Sequence, residues 1–325
     1  MEDSIICISR SFGNKRRNFK LGLFKNYETT GAGISKNAPK KKGAALFWDI
    51  FCRKFWKLME INLVYMLFFL PLLFVFPVLN IFKNNYYAAM ISSVLLILVF
   101  MILIGPATAG MTKIMRKFVI NKHSFIMQDF IKGFKENFKK SVIIGFLDCL
   151  VIISAYAALN VYPVLAVQQS KAMYIPLVIT FSLFLVIVMM NHYIYLMLTA
   201  TNLSMKNLFK NSFALAFVAM KQNLLVFIIG VALIALMVVL FIYLMPVFFL
   251  LIAFFPAAFI CLINSFVCYP VIQKYVINPY YTSIGEINPE LIDDTPTEEE
   301  RIFEDMGGKE KPVEKRKKGK GKRIS

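Results

Sequence analysis

Long apolar tracts alternate with short charged segments along this chain. Residues 61–82, 86–112, 142–167 and 173–200 are almost free of charge, and no Asp, Glu, Lys or Arg occurs from Gln222 to Gln273. A helix rises ~1.5 Å per residue and a hydrocarbon core is ~30 Å thick, so a crossing takes about 20 residues. The last tract is long enough for two crossings, with Pro246 as the turn between them because proline lacks the amide donor of a continuing helix. The pattern predicts six transmembrane helices near 61–82, 87–109, 142–164, 174–199, 224–245 and 248–270. Barrel strands are excluded: their signal is alternation over about 10 residues, not unbroken Leu, Ile, Val and Phe.

A second pattern sits in the charged segments. Phenylalanine recurs every fourth residue at Phe47, Phe51 and Phe55, again at Phe130, Phe134 and Phe138, and again at Phe209, Phe213 and Phe217. Such spacing lines one helical face, and polar residues fill the other: Asp49, Arg53, Lys57 and Glu60 in the first copy, Asp129, Lys132, Lys135 and Lys139 in the second. A span begins a few residues after each third Phe, at Ile61, Val142 and Leu224. The chain therefore reads as a weak threefold repeat of amphipathic helix, span, short turn and returning span. The expected fold is an all-α integral membrane protein of three hairpins, each preceded by a cytoplasmic interfacial helix. Two roles suit the Phe ladders, a collar in the lipid headgroup boundary with lysines toward anionic lipid, or elbows that brace the bundle.

Charge sets the expected orientation. Of the 37 Lys and Arg residues all but Lys83 and Lys171 fall on one side, which the positive-inside rule places in the cytoplasm with both termini. The formal charge of +18 is then a membrane-facing property; specific nucleic-acid binding would need a soluble basic domain, and the sequence suggests none. Hydrophobic residues make up 58% of the chain and mean hydropathy is +0.63, in keeping with a membrane-embedded bulk. Residues 1–45 read as a basic disordered segment without a secretory signal, 46–280 as the membrane domain, and 281–325 as a charged cytoplasmic tail. Within the tail Thr295, Pro296 and Glu298 supply N-terminal helix signals and Gly307 a terminator, predicting a short helix near 296–306 that could dock a cytoplasmic partner. The five cysteines form no CxxC pair, so neither disulfides nor zinc are expected.

The stretches "GLFKNYETTGAGISKNAPKKKG", "FWDIFCRKFWKLMEINLVYMLFFLP", "GPATAGMTKIMRKF" and "DFIKGFKENFKKS" resemble the YesL-type family, integral membrane proteins of unknown function in Gram-positive bacteria. The resemblance covers roughly residues 22–225. It implies a role around sugar import, since members are often encoded beside carbohydrate-uptake transporters and polysaccharide-degrading enzymes, and it brings no catalytic residues. Because the family pattern starts near Gly22, residues 1–20 are expected to be an over-long start, with Leu21 as an alternative initiation site.

Candidate chemistry is sparse. Asp148 is the acid well inside a span, about 9 Å from the inner end of helix three. Such a placement costs ~2.5–3.5 kcal/mol and calls for a partner. Asn191, His192 and Asn264 lie at a similar depth, so the four predict a polar layer. Its roles are a cavity in which an Asp148–His192 pair binds a proton or small solute, or a hydrogen-bonded structural set. "GPATAG" is expected to end helix two, with Gly105 and Ala109 permitting close helix approach and Pro106 loosening the exit. Nucleotide-loop, zincin and nucleophile-elbow motifs are missing, so neither an enzyme nor a cofactor is expected. Two functions remain: a multi-pass accessory or scaffold protein linked to carbohydrate uptake, with sugar-transporter subunits or a cytoplasmic protein as partner, and a small-solute transporter or channel built on the Asp148 layer.

Overall fold

The computed structural model describes residues 42–286 and 288–290. The expected basic N-terminal segment (its last residues apart), the alternative start and the helix near 296–306 lie outside them. Among the described residues the chain is all helix and has no strand. The elements are α1 (Ala44–Met66), α2 (Leu70–Leu73), α3 (Val75–Ile81), α4 (Tyr86–Val119), α5 (Ile126–Glu136), α6 (Phe138–Gln168), α7 (Tyr174–Ala200), α8 (Met205–Val218), α9 (Met220–Tyr243), α10 (Met245–Phe254), α11 (Pro256–Ile272) and α12 (Asn278–Ser283). Six helical segments are long and apolar enough to cross a membrane. The protein is an all-helical, multi-pass membrane protein.

Local chemistry explains the boundaries. The first amphipathic segment is not separate: α1 runs from Ala44 straight into the first crossing, which then bends through the proline-bearing turns of α2 and α3. Asn85 starts α4 by accepting the amide of Ala88 at 3.2 Å, and Ser204 starts α8 by accepting that of Asn207. "GPATAG" does not end the second crossing. Helix α4 continues through Pro106 to Val119, because the basic segment after Gly110 stays amphipathic and buries Met111, Ile114, Met115 and Phe118. The sixth crossing is also not one helix: after a turn at Leu244, α10 spans ten residues and the chain breaks at Phe255 (φ −132°, ψ −53°) before α11.

Burial is concentrated at the end of the bundle that carries most of the lysines, called here the basic end. On α7 every residue from Tyr193 to Leu198 is buried, and none is from Tyr174 to His192. On α4 the run from Gly105 to Met115 is buried except Thr108. The opposite halves expose their Leu, Ile, Val and Phe side chains, as lipid-facing surface does.

Close helix approach is carried by glycines. A Cβ on Gly105 would lie 2.0 Å from the Ser141 carbonyl oxygen, and one on Gly145 would lie 2.6 Å from the Gly105 Cα. Helices α4 and α6 therefore cross backbone to backbone. Five residues on, Gly110 meets Phe130 and Gly133 of α5. The buried Ala109 and Pro106 lie in the same stretch.

Candidate functional site

Counting from the helix ends places Asp148 ten residues into α6, His192 eight before the end of α7, and Asn264 eight before the end of α11. At 1.5 Å per residue these depths are about 12–15 Å. Hydrogen bonds join the groups across three helices. Asn191 Nδ2 donates to Asp148 Oδ1 at 2.7 Å, Tyr195 Oη donates to Asp148 Oδ2 at 3.0 Å, and Asn264 Nδ2 donates to the His192 backbone carbonyl at 3.0 Å. The carboxylate is thus held by Asn191 and Tyr195, not by the expected His192. Tyr195 had a signal in the sequence, four residues after Asn191 and so on the same helical face. Three buried atoms of this layer have no partner among the described residues: Asn191 Oδ1, His192 Nε2 and Asn264 Oδ1.

A second set of polar groups pairs at the basic end, where the sequence suggested a solvated face and no paired set. The extension of α4 carries Lys113, Arg116 and Lys117, and each meets an acid from outside that helix, two on α5 and one at Glu290. Lys113 pairs with Glu136 at the end of α5. Lys117 pairs with Asp129 at 2.6 Å, whose other oxygen reaches back to accept the amide of Phe125, the residue before α5, at 3.0 Å. Arg116 pairs with Glu290 at 3.0 Å and donates to Tyr269 Oη at 3.3 Å, and Tyr269 in turn donates to Glu290. Glu290 also accepts Gln273 Nε2 at 3.2 Å. Asp129 was expected on a solvated face; it is buried, because Lys117 supplies the charge that makes burial tolerable. These pairs lock α5 and residues 288–290 onto α4.

The Phe ladders, alike in spacing, end in three environments. Phe47 and Phe51 pack on Phe259 of α11, with ring centroids 6.3 and 5.5 Å away. Phe130 is 2% exposed and stacks on Phe68 at 5.8 Å, as does Phe134 at 5.4 Å, while Phe138 is partly exposed. Phe213 and Phe217 are each 52% exposed, because α8 turns Leu208, Ser212, Leu215 and Ala216 inward instead. Phe55 and Phe209 are half-buried. The first two ladders brace the bundle; in the third Phe209 packs on the core while Phe213 and Phe217 face outward.

A family model described as "Protein of unknown function, DUF624" matches residues 58–159. No curated protein and no solved structure matches the chain. The matched stretch runs from α1 into α6 and contains the Gly105–Gly145 crossing, the three basic residues of α4 and Asp148. Asn191, His192, Asn264 and Glu290 fall outside it. Among the described residues no group of His, Cys, Asp and Glu could hold a metal ion.

Proposed function

We propose that the protein is a multi-pass membrane accessory or scaffold protein linked to carbohydrate uptake, with its basic end and both termini in the cytoplasm. The observation that carries this reading is the set of ion pairs on α4. Lys113, Arg116 and Lys117 fix α5 and the root of the C-terminal tail to one helix, giving a rigid platform from which the tail can reach a transporter subunit or another cytoplasmic protein. Anionic lipid of the inner leaflet is the second partner, drawn by the lysines around that platform. The YesL-type resemblance supplies the link to sugar import, and three of its four quoted segments overlap the stretch that the family of unknown function matches.

A second reading, a small-solute transporter or channel, draws on the unpartnered His192 Nε2, Asn191 Oδ1 and Asn264 Oδ1, which could receive a proton or a polar solute. Purification in mild detergent separates the two. Recovery with sugar-transporter subunits supports the accessory role; a protein that purifies alone and changes solute flux in liposomes overturns it in favour of the transporter.

A further inference from the structure

A cleft of about 690 Å³ opens at the basic end, between the α5–α6 junction and the end of α7. Sites for small ligands span roughly 300–1,000 Å³. One wall is cationic, with Lys135, Lys139 and Lys140 in its lining. Lys140 donates to the Leu203 carbonyl at 2.8 Å, holding the chain after α7 against the start of α6. Lys135 and Lys139 pair with no acid among the described residues. The one acid in the lining, Glu136, is already taken by Lys113, with Lys132 3.9 Å from its other oxygen.

The opposite wall has a different chemistry. Thr199 and Thr201 spend their hydroxyl protons on the carbonyls of Leu196 and Met197, at 3.1 and 2.7 Å, so each oxygen is left as an acceptor. Asn202 adds an amide beside them. The outermost ring of the second ladder, Phe138, lines the cleft as well and is 38% exposed. A ligand that satisfies the cleft carries an anionic centre for the lysines, hydroxyl donors for the threonines, and an apolar portion to lie along Phe138.

We propose that this cleft binds the phosphoglycerol headgroup of an anionic phospholipid in the leaflet at the basic end. The lysines take the phosphate, the threonine oxygens take the glycerol hydroxyls, and the acyl chains leave past Phe138. The site rests on the anionic-lipid partner proposed above and gives it a place and a headgroup; it requires the six helices to lie in a bilayer but not the link to a sugar transporter. A soluble phosphate shares the charge but lacks the apolar portion.

The full-length protein, equilibrated with mixed phosphatidylglycerol and phosphatidylcholine vesicles and released into mild detergent for native mass spectrometry, tests the assignment. The wild type is expected to retain phosphatidylglycerol in preference. Replacing Lys135→Gln and Lys139→Gln together is expected to cut that preference roughly a hundredfold, from the loss of two charge-assisted hydrogen bonds to the phosphate. Replacing Lys206→Gln and Lys210→Gln on α8 removes the same charge elsewhere and leaves the preference intact. Equal loss in both double variants, or no preference in the wild type, overturns the proposal. Lysine acylation of the unmodified wild type in liposomes gives a second reading independent of folding. Lys139 is protected by phosphatidylglycerol more than Lys206 is, and equal protection of the two overturns the site. Protection of Lys139 by millimolar inorganic phosphate in phosphatidylcholine liposomes, to the same extent, overturns the lipid assignment in favour of a soluble anion.

Discussion

Asn62 is wholly buried on α1, and the break in the sixth crossing is built around it. Pro256 has no amide hydrogen, so the Ile252 carbonyl four residues earlier loses its helical donor. Asn62 Nδ2 donates to that carbonyl at 3.0 Å and to the Ala253 carbonyl at 2.7 Å, while its Oδ1 accepts the Ala258 amide at 2.9 Å. One side chain thereby satisfies three backbone groups that water cannot reach in a bilayer. Asn62→Leu keeps the volume and removes all three bonds. Hydrogen bonds within membranes average ~0.6 kcal/mol and reach ~1.7 kcal/mol, so the expected loss of three is about 2–5 kcal/mol in a reversible denaturing-detergent titration. Pro256→Ala restores an amide opposite Ile252, and in that background Asn62→Leu is expected to cost about 1 kcal/mol less. An Asn62→Leu titration that overlays the wild type, or strict additivity in the two-site cycle, would refute the reasoning.

Three further outcomes follow from the packing. Gly105→Ala places a methyl against the Ser141 carbonyl and is expected to cost about 3 kcal/mol or more, whereas Gly230→Ala on α9, with open space around it, gains about 0.5–1 kcal/mol; paired detergent titrations check both. Phe130→Ala is expected to destabilise by about 3–5 kcal/mol because its ring is buried. Phe213→Ala, on the outward face of α8, leaves the micellar unfolding midpoint within error. Asp148→Asn keeps one acceptor oxygen for Asn191 and turns its amide nitrogen toward Tyr195 Oη, which can accept in place of donating, so it is expected to stay near wild-type stability. Asp148→Leu orphans both partners and costs about 1–3 kcal/mol, read in the same titration.

What could be read from the sequence was whatever a bilayer dictates by itself. Crossing length and the need for internally bonded backbone fixed six helical spans, because apolar runs of that length have no other stable form in lipid. The polar layer was legible for a related reason: Asp148, Asn191, His192 and Asn264 stand out against apolar neighbours at similar depth. Their pairing was not, since whether Asp148 meets His192 or Asn191 depends on the rotation of α7 about its axis. Helix α4 looked finished at "GPATAG" because Lys113, Arg116 and Lys117 suggest a solvated loop; their acids, Asp129, Glu136 and Glu290, come from segments whose approach no local pattern encodes. Asn62 and the break it staples are almost 200 residues apart. The Phe ladders make the same point. Equal spacing defines a stripe, and only the neighbours decide whether it meets α11, the turn after α1 or, beyond Phe209, the outer surface.

The distribution of burial has a consequence for how the protein can act. The basic end is cross-linked by ion pairs, close glycine crossings and the run of buried residues in α7, so a surface there keeps its geometry. The far halves are held by few mutual contacts and take their environment from lipid; on α9 only Asn223 and Val226 are buried. Asn223 itself belongs to the firm end, accepting Tyr193 Oη at 2.6 Å and donating to the last turns of α8. The Asp148 layer therefore sits at the boundary between a firm region and a compliant one. A transporter that turned α6 against α7 about this boundary would break the Asn191–Asp148–Tyr195 bonds on each cycle. A scaffold needs only the firm end to hold still, and the Lys113–Glu136, Arg116–Glu290 and Lys117–Asp129 pairs serve that requirement.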